Sequence, residues 1–394
     1  MAERRFSRRT GWDVSETGWA RLLRERRAAG LPVLDLTASN PTRCGFAYDG
    51  EAILGALRSA TALDYDPNPQ GLLRAREAVA GYCAGHGAAV VAERIFLTTS
   101  TSEAYSYLFR LLCDPGDEVL IARPSYPLFD FLADLDDVRL VAYPLFYDYG
   151  WHLDPAALRA GITSRTRAVA VVHPNNPTGH FTGAAERAVL EEICAEFGLA
   201  LIVDEVFLDY PLEGAGERSF GAGGHPALTF VLSGLSKVAG LPQMKAAWIA
   251  CFGPEAALAG ALGRLELIAD TFLSMNTPVQ GALPEWLAGR GSIQGQIRAR
   301  TRANLAAVDA VFPAGGAVGR LAAEAGWCAV LRIPALARDE ETALRLLGER
   351  GVAVHSGDFF GFGESGWLVL SLLAEPAEFS RGIREIAGYF EALG

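Results

Sequence analysis

Between residues 95 and 252 the chain alternates short, continuously apolar runs with longer amphipathic stretches. Seven runs stand out, at 95–98, 118–122, 139–143, 168–173, 199–203, 230–233 and 247–252. Runs that are apolar at nearly every position, rather than at every second one, predict strands buried on both faces. The connections are long enough for crossover helices, so the pattern predicts an α/β fold: a seven-stranded, mostly parallel sheet with helices on both sides. In such open sheets ligands collect beyond the carboxyl ends of the strands. Polar residues stand at those ends here, at 98–102, 124–126, 175–179, 204–205 and 233–237.

The flanking segments read differently. Ser15-Glu16-Thr17-Gly18 begins an amphipathic stretch to about Arg27 that Gly30 ends, a helix signature. An apolar run at 31–37 leads into the turn Ser39-Asn40-Pro41-Thr42. After residue 284 the elements are fewer and more separated. They read as a long helix near 292–311, a strand near 327–333, a helix near 340–350, an extended piece at 352–355, a strand at 367–372 and a closing helix. The expectation is a large domain over 45–284 and a smaller α+β domain made of 1–44 and 285–394.

Composition narrows the classes. Half the 394 residues are apolar and 21% are charged, which suits a sizeable core and excludes global disorder. A net charge of −11 argues against nucleic acid or an anionic membrane surface as partner. Cysteines at 44, 83, 113, 194, 251 and 328 form no C-x-x-C pair, so buried thiols are expected, with neither a disulfide framework nor a metal site. The basic start has no apolar stretch behind it and no run approaches 18 apolar residues, so a cytoplasmic protein is expected.

Only two residues are lysine, Lys237 and Lys245, against 33 arginines. A chain that uses arginine almost everywhere keeps lysine where a guanidinium cannot serve. A primary amine can condense with an aldehyde, and it changes protonation readily when desolvated. Both lysines lie in one Gly/Ser-flanked stretch, Ser233 to Lys245.

Five segments in order resemble the class I/II aminotransferases of fold type I, which use pyridoxal 5′-phosphate (PLP). Ser236-Lys237 followed by Gly240-Leu241 resembles the imine-forming segment, which makes Lys237 the Schiff-base lysine and a proton carrier. Asp204, ending the run Leu201-Ile202-Val203, matches the aspartate that pairs with the pyridine nitrogen, with a helix cap as the alternative. Asn175-Asn176-Pro177-Thr178-Gly179 matches the N-P-T-G turn, so Asn176 would donate to the phenolic oxygen of PLP. Ser100, Thr101 and Ser102 fit a phosphate cradle at a helix start, with simple capping as the alternative, and the family prefers glycine where Ser100 stands. Tyr126 matches the ring-stacking aromatic, with a core position as the alternative. Lys245 falls where the family has a phosphate-binding arginine. Tyr65 matches a tyrosine that crosses to the partner's phosphate, which implies a homodimer.

Two departures qualify the resemblance. Phe207 stands where the family has a tyrosine bonded to the phenolic oxygen. Val369 or a neighbour stands where it has the arginine that forks onto the substrate carboxylate. The implied activity is amino transfer between an amino acid and a 2-oxo acid, with a substrate other than a simple amino acid. Ser39, Asn40, Trp327 and Arg332 are the candidate substrate contacts. The alternative is a PLP-dependent lyase, cyclase or β/γ-replacement enzyme sharing Lys237, Asp204 and Asn176. No G-x-G-x-x-G opens the sheet, which argues against a dinucleotide fold.

Overall fold

The computed structural model describes residues 6–213, 218–313 and 315–393. Strands are numbered along the chain. The first nine are β1 (Leu34–Asp35), β2 (Ile95–Thr98), β3 (Glu118–Arg123), β4 (Arg139–Tyr147), β5 (Trp151–Leu153), β6 (Thr166–Val172), β7 (Ala200–Asp204), β8 (Thr229–Gly234) and β9 (Ala247–Phe252). The remaining five are β10 (Gly319–Arg320), β11 (Cys328–Arg332), β12 (Val352–Ala353), β13 (His355–Ser356) and β14 (Trp367–Ser371).

All seven apolar runs are strands of one sheet in the order β2-β9-β8-β7-β6-β3-β4-β5. Strands β8, β7, β6, β3 and β4 run parallel, and β9 is antiparallel to both its neighbours. The eighth strand, β5, is a three-residue antiparallel addition at the edge that the sequence reading lacked.

Alternate residues of the central strands feed two separate cores, as period-2 geometry requires. Leu97, Leu120, Val169, Leu201, Val231 and Trp248 face one core, and Phe96, Ile121, Ala170, Ile202, Phe230 and Ile249 face the other. Helices Leu73–Gly85, Ala184–Phe197 and Thr277–Gly289 cover the first side, and Thr101–Leu112, Leu128–Leu135 and Glu255–Phe272 cover the second. Burial on both sides explains why these strands read as unbroken apolar runs.

A third core forms around an antiparallel sheet of order β10-β11-β14-β13. Leu331, Leu368 and Leu370 pack there against Leu305 and Val308 of helix Gly291–Val311 and Phe379, Ile383 and Ile386 of helix Pro376–Glu391. Leu36 joins the same core, and β1 pairs in parallel with β12, so the stretch around β1 lies with this unit, whereas Trp12 and Arg9 bond Asp134 and Asp137 at helix Leu128–Leu135 of the large unit. Helix Thr277–Gly289 runs through residue 284, and its Ala282, Leu283, Trp286 and Leu287 pack in the first core of the large sheet. The capping residue of helix Gly18–Ala28 is Thr17, which accepts from the backbone N–H of Ala20. No described helix is long and apolar enough to cross a membrane.

The two units touch through the turn that carries Asn176. Gly179 has φ +73° and accepts from the Ala325 N–H at 3.0 Å. A Cβ at Gly179 would collide with the Ala325 carbonyl oxygen. Gly179→Ala is therefore expected to destabilise the protein by about 2 kcal/mol or more, through left-handed strain plus backbone overlap. A fall in the urea midpoint checks this, and an unchanged midpoint contradicts it.

Candidate active site

One cavity of about 380 Å³ opens beyond the carboxyl ends of the parallel strands. Eleven of the residues singled out from sequence line it: Ser39, Ser100, Thr101, Ser102, Tyr126, Asn176, Asp204, Ser236, Lys237, Lys245 and Trp327. Each strand delivers its share. β2 leads to Ser100, β3 to Tyr126, β6 to Asn176, β7 to Asp204, and β8 to Ser236 and Lys237. Lys245 precedes antiparallel β9, whose start lies at the same edge.

Lys237 sits in a four-residue helix, Leu235–Val238, whose carbonyls are fixed from outside. Tyr210 donates its hydroxyl to the Lys237 carbonyl at 2.5 Å, and Gln294 donates its side-chain amide to that of Val238 at 2.8 Å. The Lys237 ammonium lies 5.0 Å from the centroid of the Trp327 ring and 5.6 Å from that of Phe207. Burial lowers its pKa below the usual lysine value, with Cys328 and Asp204 opposing the shift. The shift favours the neutral, nucleophilic form of the amine.

Asp204 is buried at the end of β7. Its Oδ1 accepts the Val206 N–H at 3.1 Å, and the hydroxyl of Tyr105 lies beside it without an in-line hydrogen bond. Burial pushes the carboxyl up to about 6, against the pull of the Val206 N–H and the Lys237 charge. Asp204 thus does serve a local cap, but it is left without a strong cationic partner.

The turn after β6 is built from its own side chains. Thr178 donates to Asn175 Oδ1 at 2.9 Å, and the Gly179 N–H bonds the Asn175 carbonyl at 2.8 Å. Behind it His180 pairs with Glu186 at 2.9 Å and Glu324 at 3.3 Å. Burial alone would depress this imidazole, but the two carboxylates outweigh it and hold His180 at about 9. The turn presents Asn176, whose Oδ1 accepts from the Cys328 thiol at 3.7 Å while its amide nitrogen donates to no described residue.

At the start of helix Thr101–Leu112, Ser100 caps by accepting the Glu103 N–H at 3.1 Å, and Glu103 accepts the Thr99 N–H at 2.7 Å. Capping engages the Ser100 hydroxyl, while Thr101 and Ser102 of the first turn line the cavity at the positive end of the helix.

Three candidates lie elsewhere. Asn40 spends its side chain accepting from Thr42 within its own turn and does not line the cavity. Arg332 is exposed at the far end of β11, stacked 4.2 Å over Trp367. It lies four positions beyond cavity-lining Cys328, about 13 Å along a strand. Tyr65 is 78% exposed and lines a neighbouring hollow with Asn276 and Leu273.

Phe207 offers a ring face and no hydroxyl. Val369 is fully buried among Trp151, Leu321, Val330, Phe360 and Phe362. No arginine is among the described residues that line the cavity. Sequence reasoning missed Thr37, Tyr105, Cys328, His355, Phe359, Phe360 and Ser371 as lining residues. Of these only Tyr105 carried a readable signal, since it lies one turn beyond Thr101 on the same helix.

The family model described as aminotransferase class I and II matches residues 51–386. The chain belongs to that family. Its members are generally PLP-dependent. Glutamate-pyruvate aminotransferase AlaA of Escherichia coli K12 is 29% identical over 265 residues, covering 67% of this chain and 65% of that protein. Alanine aminotransferase of Mycobacterium tuberculosis H37Rv is 29% identical over 270 residues, 68% and 63% of the two. The chain thus spans a little under two thirds of the length of these curated relatives. Among solved structures, alanine aminotransferase from Pyrococcus furiosus superimposes with a TM-score of 0.88 at 23% identity, covering 98% of this chain and 100% of that one. A mutant aspartate aminotransferase of Thermus thermophilus gives 0.82 at 24%, covering 98% and 99%. These likenesses carry the fold.

Proposed function

We propose that the chain is a PLP-dependent aminotransferase that moves an amino group between an amino acid and a 2-oxo acid. The observation that carries this is a buried amine, Lys237, and a buried carboxylate without a strong cationic partner, Asp204, on one cavity. PLP fits the residues present. Asp204 would take its protonated ring nitrogen, Asn176 its phenolic oxygen, and Tyr126 a face of its ring. Ser100, Thr101, Ser102, Ser236 and Lys245 would hold its phosphate at the helix start. When bound, PLP supplies an electron sink for the pair left at the substrate's Cα.

The chain's own residues do the rest. Lys237 would hold the aldehyde of PLP until substrate arrives, and its freed amine would then take the Cα proton and return it at the former aldehyde carbon. Asp204 would keep the ring nitrogen of PLP protonated. Trp327 and Phe207 exclude water around the amine, which favours its neutral form. The relatives named as alanine aminotransferases favour a small amino donor, and the missing arginine favours one whose carboxylate is held weakly. A substrate outside the simple amino acids rests on Val369 alone.

The working unit is read as a homodimer. Tyr65 stands exposed outside its own cavity and lines a hollow with exposed Leu273, while Leu63 and Phe272, near them in the chain, are exposed as well. An apolar, solvent-facing group of this kind favours a partner surface.

The test is the product balance of PLP-loaded protein given L-alanine and 2-oxoglutarate. Amino transfer yields pyruvate and glutamate one for one. Release of ammonia without glutamate would replace this reading with the lyase or elimination alternative.

A further inference from the structure

With Val369 sealed in an apolar cluster, some other group must meet the polar end of the substrate. β13 pairs antiparallel with β14, and His355 is the direct partner of Val369. β11 pairs on the other side, with Val330 opposite Val369 and Cys328 opposite Ser371. Directly paired residues share a face of the sheet with Cβ atoms about 5 Å apart. His355, Cys328 and Ser371 all line the cavity, so this face is the one turned towards Lys237.

His355 is also held in place. Its ring stacks on Phe359 at 4.8 Å and 14°, and meets the edge of Phe360 at 5.7 Å. Phe360 accepts the Ser125 N–H at 2.9 Å, which ties this turn to the segment carrying Tyr126. Ser371 is not available in the same way, because its hydroxyl donates to the Ala38 carbonyl.

We propose that His355 is the specificity-determining residue of this site, donating a ring N–H to the polar end of the amine substrate where the class I/II pattern uses arginine. This rests on the aminotransferase reading above. An imidazole differs from a guanidinium in one consequential way: its charge is conditional. Burial holds His355 below the usual histidine pKa, with Asp35 and the Thr37 carbonyl opposing. Asp35 is the charged group facing it, and Asp358 on the next turn accepts the Glu340 N–H at 3.2 Å. Free His355 is therefore neutral near neutral pH. A bound carboxylate favours the imidazolium, so one proton enters from solvent with each carboxylate. A neutral amide in the same place brings none.

The sign follows. Carboxylate binding raises the His355 pKa, so affinity for an amino acid is highest below the free pKa and falls as pH rises towards the pKa in the complex.

The experiment compares L-alanine with L-alaninamide as donors for PLP-loaded wild type, His355→Gln and His355→Arg, between about pH 5.5 and 8. The ionisations of the two amines are common to all three proteins, so the comparison is between proteins. In wild type the alanine-to-alaninamide KM ratio should rise with pH, by up to about tenfold per unit. His355→Gln should raise the alanine KM roughly tenfold at the acid end and flatten the extra rise of the ratio, with kcat nearly unchanged. His355→Arg should lower the alanine KM at the alkaline end. Retained PLP absorbance in both variants shows that the site is folded. An unchanged ratio and pH dependence in His355→Gln would overturn the proposal and leave the aminotransferase reading intact. Failure of the wild type to convert any amine would remove both.

Discussion

Lys237→Arg is expected to lower turnover by at least about a thousandfold while leaving the fold in place. The substitution keeps a positive charge and a long aliphatic stem, so a structural lysine would tolerate it. A guanidinium cannot form a carbon–nitrogen double bond with an aldehyde and does not give up its proton in a protein. Lys237 needs both abilities, and its surroundings support them. The ammonium lies against the faces of Trp327 and Phe207, and burial keeps its pKa below the usual lysine value. Borohydride reduction of PLP-loaded protein followed by peptide mapping should place the pyridoxyl group on Lys237. A label on Lys245, the exposed lysine at the same cavity, would reverse the assignment. Wild-type turnover in Lys237→Arg would remove it.

The large sheet was legible because its strands are buried on both sides and therefore read as unbroken apolar runs. Strand β5 was not, because three residues at an open edge carry no such signal. The same contrast governs the site. Ser100, Asn176, Asp204 and Lys237 each follow a strand of one sheet, so finding the strand end finds the residue. His355, Cys328 and Ser371 arrive from the smaller sheet, whose order β10-β11-β14-β13 departs from chain order. Two of its strands are only two residues long, so neither their register nor their inward face can be read from alternation. Arg332 failed for a related reason. It shares the β11 face of Cys328 but lies too far along the strand, with its charge over Trp367. Asn40 failed because an asparagine beside a turn is as able to bond its own backbone as a ligand.

Asp204→Asn separates catalysis from stability, because the two should move in opposite directions. The carboxyl is buried and its pKa is raised to about 6 by that burial. A folded-state pKa above the unfolded value means that protonation favours the fold. Stability of the PLP-free protein is then greatest below the unfolded pKa of about 4 and declines as pH rises to about 6. The full shift corresponds to at most about 3 kcal/mol. An amide of the same shape never ionises, so Asp204→Asn should make the PLP-free protein more stable near pH 8 and little different near pH 4. Activity should fall by a hundredfold or more, the order seen when a single electrostatic contact to developing charge is removed. An amide cannot hold a ring nitrogen protonated, and PLP then loses much of its capacity as an electron sink. Thermal unfolding of the PLP-free protein at the two pH values, with kcat measured on the loaded enzyme, tests both halves. A variant that loses stability at pH 8 and keeps its turnover would show Asp204 to be only a cap for the turn at Val206.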